Sequence, residues 1–150
     1  VTKPKIALDS NILSYAEGIN DPERQKLAHD CLAQLDFAEV AIPIQALGEL
    51  YRILVRKGGY TRNLARGFVT QWRDLSRPLE TNHAAFQAAM DLAAEHHFQI
   101  WDAIVLSVCA ENGCACLLSE DMQAGFVWRG VEIINPLTTA GVARLQAILG

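Results

Sequence analysis

Four short apolar runs, each too brief for a helix of its own, set the strongest limit on how this chain can fold. They are Lys5–Leu8, Ala38–Ile42, Cys114–Leu118 and Val131–Ile134. A mostly apolar run of this length, broken by no more than one charged residue (Lys5, Glu39 or Glu132), fits a strand largely buried on both faces. Longer helical patterns lie between most of them, and parallel strands require crossover connections of that kind. The expected fold is therefore α/β: a three-layer α/β/α sandwich around a short central parallel sheet.

The punctuation supports this division. A helix is expected from Asn11 to about Gly18, and another from Asp21-Pro22 to about Asp36, where proline behind an aspartate cap marks a start. Pro43 restarts a helix that Gly58-Gly59 stops, and Thr61 caps the next, to about Leu75. Ser76-Arg77-Pro78 breaks the chain before a short strand near Leu79, and Asn82–His97 is helical. Gln99-Ile100-Trp101 is expected as a tight link, with Asp102 opening a strongly apolar helix that Gly113 ends, and Thr138–Leu149 as the closing helix.

With 150 residues, 51% of them hydrophobic, and no internal repeat or linker, residues 1–150 are expected to form a single domain. No apolar run approaches the roughly 20 residues that cross a bilayer, so a soluble, cytoplasmic protein without membrane contact is expected. Cys31, Cys109, Cys114 and Cys116 lack the paired spacing of a zinc knuckle and are expected as buried free thiols. The four histidines are equally scattered and suggest structural or surface roles.

The net charge of −4 would ordinarily argue against a nucleic-acid partner, but its distribution is uneven. Between Tyr51 and Arg77 stand Arg52, Arg56, Lys57, Arg62, Arg66, Arg73 and Arg77 against the lone acid Asp74. This segment carries +6 and the remainder −10. A polyanion responds to charge within a Debye length, about 8–10 Å, so such a stripe can hold phosphate on an acidic protein. Solvated helical faces or a dock for an acidic partner would look the same in sequence.

Carboxylates recur where strands end or helices begin. Asp9 follows the first strand, Glu49 lies in the helix after the second, Asp102 is at the start of the late apolar helix, and Asp121 follows Leu117-Leu118-Ser119. Each has an ordinary explanation: Asp9 and Asp102 as helix caps, Glu49 in an i,i+3 bridge to Arg52, and Asp121 as a turn residue. In a parallel sheet, however, ligands bind beyond the carboxyl ends of the strands, where the topology would gather all four. Two unit charges about 4 Å apart repel by roughly 4 kcal/mol at an effective dielectric near 20, so such a cluster needs a cation. All-oxygen ligation favours Mg²⁺ or Mn²⁺, which suits phosphodiester hydrolysis.

Leu8-Asp9-Ser10-Asn11-Ile12-Leu13, Glu49-Leu50, Trp101-Asp102-Ala103-Ile104-Val105 and Leu117-Leu118-Ser119-Glu120-Asp121-Met122-Gln123 resemble, in order and spacing, the four acidic motifs of PIN-domain nucleases. The likeness is greatest to the VapC-type toxins of bacterial toxin–antitoxin pairs and covers nearly the whole chain. It implies a Mg²⁺- or Mn²⁺-dependent endoribonuclease acting on RNA, a homodimer, restrained by a VapB-like antitoxin. Asp9, Glu49, Asp102 and Asp121 would be the catalytic, metal-binding acids, and Asn11 and Ser119 supporting polar residues. Arg52, Arg56, Arg62 and Arg66 would contact RNA, and apolar residues on the early helices would form the dimer or antitoxin surface. Where relatives often continue the last motif with Asp-Gly, this chain has Ala124-Gly125.

Two other readings compete. A haloacid-dehalogenase-like phosphatase needs a second aspartate two residues after the first, where this chain has Asn11. A non-catalytic PIN-fold module binding RNA or protein would have no evident reason to keep four mutually repelling acids.

Overall fold

The computed structural model describes residues 2–150. Along the chain come β1 (Ile6–Leu8), α1 (Ser10–Ala16), α2 (Pro22–Leu32), β2 (Val40–Pro43), α3 (Ile44–Arg56), α4 (Arg62–Leu75) and β3 (Arg77–Leu79). There follow α5 (His83–His96), α6 (Ile100–Glu111), β4 (Cys116–Leu118), β5 (Val127–Trp128), β6 (Val131–Ile134) and α7 (Thr139–Leu149). The strands form one sheet in the order β3-β2-β1-β4-β6-β5. All neighbours are parallel except β5, which runs antiparallel to β6.

Side-chain alternation along the strands divides the interior into two cores. Ile6, Leu8, Val40, Ile42, Cys116 and Leu118 point to the layer built from α1–α4 and α7, where they meet Ile12, Leu13, Leu50, Leu54 and Leu145. Ala7, Ala41, Leu117 and Ile133 point to the other layer, against α5 and α6. Every residue from Ala103 to Cys109 on α6 is buried, which accounts for its nearly continuous apolar sequence. The three-layer arrangement agrees with the expected fold, and all four cysteines are buried free thiols, as expected.

Three local expectations are corrected. α2 stops at Leu32 rather than near Asp36; Asp36 instead caps a short 3₁₀ turn, accepting a 3.0 Å bond from Ala38 N. The link Gln99-Ile100-Trp101 is already the cap and first turn of α6, so Asp102 lies inside the helix. Negative side chains are favoured there by the free N–H groups and the helix dipole. The third difference is β5, two residues joined to β6 through Arg129 (φ 47°) and Gly130 (φ 88°). Two positive-φ residues make the hairpin turn, but two strand residues are too few to produce a periodic signal.

Candidate active site

The site begins where β1 runs out. Asp9 N donates to Leu118 O at 3.0 Å, prolonging the β1–β4 ladder by one residue and setting Asp9 beside Ser119. The Asp9 carboxylate then caps α1, with Oδ1 accepting from Ser10 N at 2.8 Å. Its other oxygen accepts from Ser119 Oγ at 2.8 Å and, more distantly, from Asn11 Nδ2 at 3.4 Å.

Asn11 is the tie between the two ends of the chain. Its amide also donates towards Ser119 Oγ at 3.2 Å and Asp121 Oδ2 at 3.3 Å, while its Oδ1 accepts from Glu120 N at 3.0 Å. Asp121 N donates to Ser119 Oγ at 3.2 Å. Asn11 and Ser119 are therefore buried polar residues whose bonds fix the β4 loop against α1, which limits the cost of burying them.

Burial pushes the Asp9 pKa up to about 6, opposed by the bonds from Ser119 and Ser10 and reinforced by the charges of Asp102 and Asp121. Asp102, half-buried in the first turn of α6, is also raised, first by burial and then by Asp121. These three acids thus interact across the ends of β1, β4 and α6. Glu49 borders the same cleft, of about 510 Å³, but is bound to Arg52 at 3.2 Å, the i,i+3 bridge that its spacing suggested. Among the described residues, no three Asp, Glu, His or Cys side chains are close enough to form a closed metal cage. The donors are nevertheless all oxygen. Mg²⁺ typically takes only one or two carboxylates directly and fills the rest with water and phosphate, so an open group of acids fits a hard divalent ion.

A PIN domain family model matches residues 6–124. The chain belongs to the PIN domain family. The match spans Asp9, Glu49, Asp102 and Asp121, while β5, β6 and α7 lie beyond it. Solved structures with this PIN-like fold include the Mycobacterium tuberculosis sarcin-ricin loop cleaving toxin VapC20, 18% identical with a TM-score of 0.66, covering 77% of this chain and 89% of that one. FitAcB from Neisseria gonorrhoeae is 17% identical with a TM-score of 0.67, covering 87% and 97%. A toxin–antitoxin complex from Klebsiella pneumoniae is 16% identical with a TM-score of 0.66 and the same coverages. At such identities the likeness establishes the fold. No curated protein matches the chain.

Arg52 borders the cleft, whereas Arg56, Arg62 and Arg66 are exposed on α3 and α4 and are not among the residues lining it. Among the described residues these three make no ion pair, while Arg52, Arg73 and Arg77 are held by Glu49, Asp74 and Glu39. Among the described residues, the large exposed apolar side chains include Leu64 and Leu75 on α4, and Phe86 and Met90 on α5.

Sequence reasoning assigned no role to several residues at the site. Gln45 and Trp101 border the cleft, and Tyr15 donates to Glu120, which also accepts from Arg24 Nε at 2.9 Å. The last group braces the loop between Ser119 and Asp121 against α1 and α2. Only the position of Trp101 immediately before Asp102 gave any hint of this in the sequence.

Proposed function

We propose that this PIN domain is a Mg²⁺- or Mn²⁺-dependent endoribonuclease acting as the toxin of a toxin–antitoxin pair. The observation that most supports this is the mutual influence of Asp9, Asp102 and Asp121, three acids at one sheet edge of which two have raised pKa values. Carboxylates in that relation hold a cation better than they tolerate one another. One or two of Asp9, Asp102 and Asp121 would bind the ion directly and the others through its waters, with Glu49 available to those waters on release from Arg52. The bound ion would supply charge neutralisation at a phosphodiester and a more acidic water.

The chain's own residues do the positioning. Ser119 and Asn11 fix the orientation of Asp9, and Asn11 couples that carboxylate to Asp121. Arg52, on the cleft wall, can exchange Glu49 for a substrate phosphate, since an exposed pair of this kind contributes no more than about 1 kcal/mol. Solved structures of similar fold include a toxin and a toxin–antitoxin complex, which supports a VapB-like antitoxin as partner. In that reading the protein is a homodimer, and the exposed apolar residues of α4 and α5 are candidates for the partner surfaces.

The test is RNA cleavage by purified protein, freed of any co-purifying partner, in Mg²⁺, Mn²⁺ or EDTA, beside Asp9→Asn and Asp102→Asn. Cleavage that needs the metal and falls at least 100-fold in both folded variants is expected. Folded wild-type protein that neither cleaves any RNA nor binds Mn²⁺ would replace this reading with the non-catalytic PIN-fold module.

A further inference from the structure

We propose that Trp101 and the groove beside it seat a nucleobase of single-stranded RNA one step from the acidic cleft; this rests on the ribonuclease reading above. The groove, of about 730 Å³, shares Gln45, Glu49 and Trp101 with the cleft, so a chain lying across the acids continues directly into it. Trp101 is 58% exposed although it sits in the first turn of the most deeply buried helix. Among the described residues its ring has no aromatic or cationic partner. A large amphipathic ring left bare beside a polar cleft is a stacking platform of the kind that single-strand-binding proteins use.

The rest of the groove favours a base over a phosphate. Ile44, 44% exposed, adds an apolar surface, and Gly48 leaves the α3 wall open, since a Cβ there would meet no atom within 4 Å. Glu80 and Thr81 supply acceptors at its edge. The charge of Glu80 repels phosphate, whereas the amino groups of adenine, guanine and cytosine can donate to Glu80 and Thr81. A base in a duplex is already stacked and paired, so the groove selects unpaired segments.

The experiment compares a single-stranded oligoribonucleotide with the same oligonucleotide carrying an abasic ribose, using the anisotropy of a fluorophore on the strand in an Asp9→Asn background so that nothing is cleaved. The base-bearing strand is expected to bind about tenfold more tightly, within the range of one stacking contact. Trp101→Ala and Gly48→Met should abolish this preference, while Trp101→Phe retains it. Gly48→Met enters open space on a helix that gains a better helix former, so its melting temperature should not fall. In otherwise unaltered protein, Trp101→Ala and Gly48→Met should raise KM about tenfold with little change in kcat. Equal binding of the two oligonucleotides overturns the proposal. Metal-dependent cleavage with unaltered KM in both variants overturns it while leaving the ribonuclease reading intact. Loss of a protein partner's binding with RNA parameters unchanged assigns the groove to that protein and overturns it too. Absence of both RNA binding and cleavage in folded wild-type protein removes the groove proposal and the ribonuclease reading together.

Discussion

The carboxyl of Asp9 caps α1 through Ser10 and also lies where burial pushes its pKa up to about 6 from an ordinary value of 3.8. Because the folded value is above the unfolded one, the ionised form weakens the fold. That penalty is absent below about pH 3.8, grows as pH rises and is complete above about pH 6. Asparagine keeps the cap without the charge. In EDTA at pH 7.5, Asp9→Asn should therefore be more stable than wild type. A gain of about 1 kcal/mol is expected, the pKa shift being offset in part by loss of the bonds from Ser119 and Asn11. Urea unfolding across pH would check it: the gap should close towards pH 4, and an unchanged gap would count against the assigned cause. At this scale the sequence was informative where chemistry follows position. Asp9, Asn11 and Ser119 stand at strand ends, whose place in a parallel sheet is dictated by topology, and Glu49–Arg52 by helical spacing. Trp101 was not legible, because its exposure depends on what fails to pack opposite it.

Among the elements, α7 depends on one glycine. A Cβ added to Gly141 would lie 1.6 Å from Asn135 O and 2.6 Å from its carbonyl carbon, backbone atoms that cannot turn aside. Gly141 N also donates to Thr138 Oγ1, the cap of α7, at 3.0 Å. Gly141→Ala should cost about 1–3 kcal/mol, as overpacking usually does. Gly67, in the middle of α4 with nothing within 4 Å of a Cβ, should respond in the opposite sense. Gly67→Ala is expected to stabilise by about 0.5–1 kcal/mol, and a pair of urea titrations distinguishes the two signs. The strands and most helix bounds followed from apolar runs, caps and glycines. The start of α6 was misplaced because Gln99 caps it through backbone geometry alone, without a side-chain bond. β5 was missed because its pairing is set by a neighbour in space, β6.

Across the whole molecule the charge remains divided, with acids at the sheet edge and free cations on α3 and α4. Exchanging Arg62 and Arg66 for glutamate should weaken RNA binding at least tenfold and flatten its salt dependence by about 1.4 in log–log slope, two phosphate contacts on a single strand. Filter binding from 50 to 300 mM salt, taken as a rough working range, would reveal it; an unaltered slope assigns these residues elsewhere. The sheet order has a separate consequence. β1 lies beside β4, so the bond from Ser119 to Asp9 closes across 110 residues of chain, and that from Asn11 to Asp121 does likewise. Such contacts form only after β4 exists to pair with β1. During synthesis, a nascent chain that has not yet reached Ser119 carries Asp9 without the groups that orient it. The ribosome making this protein is therefore not exposed to an assembled acidic centre until most of the chain has been translated.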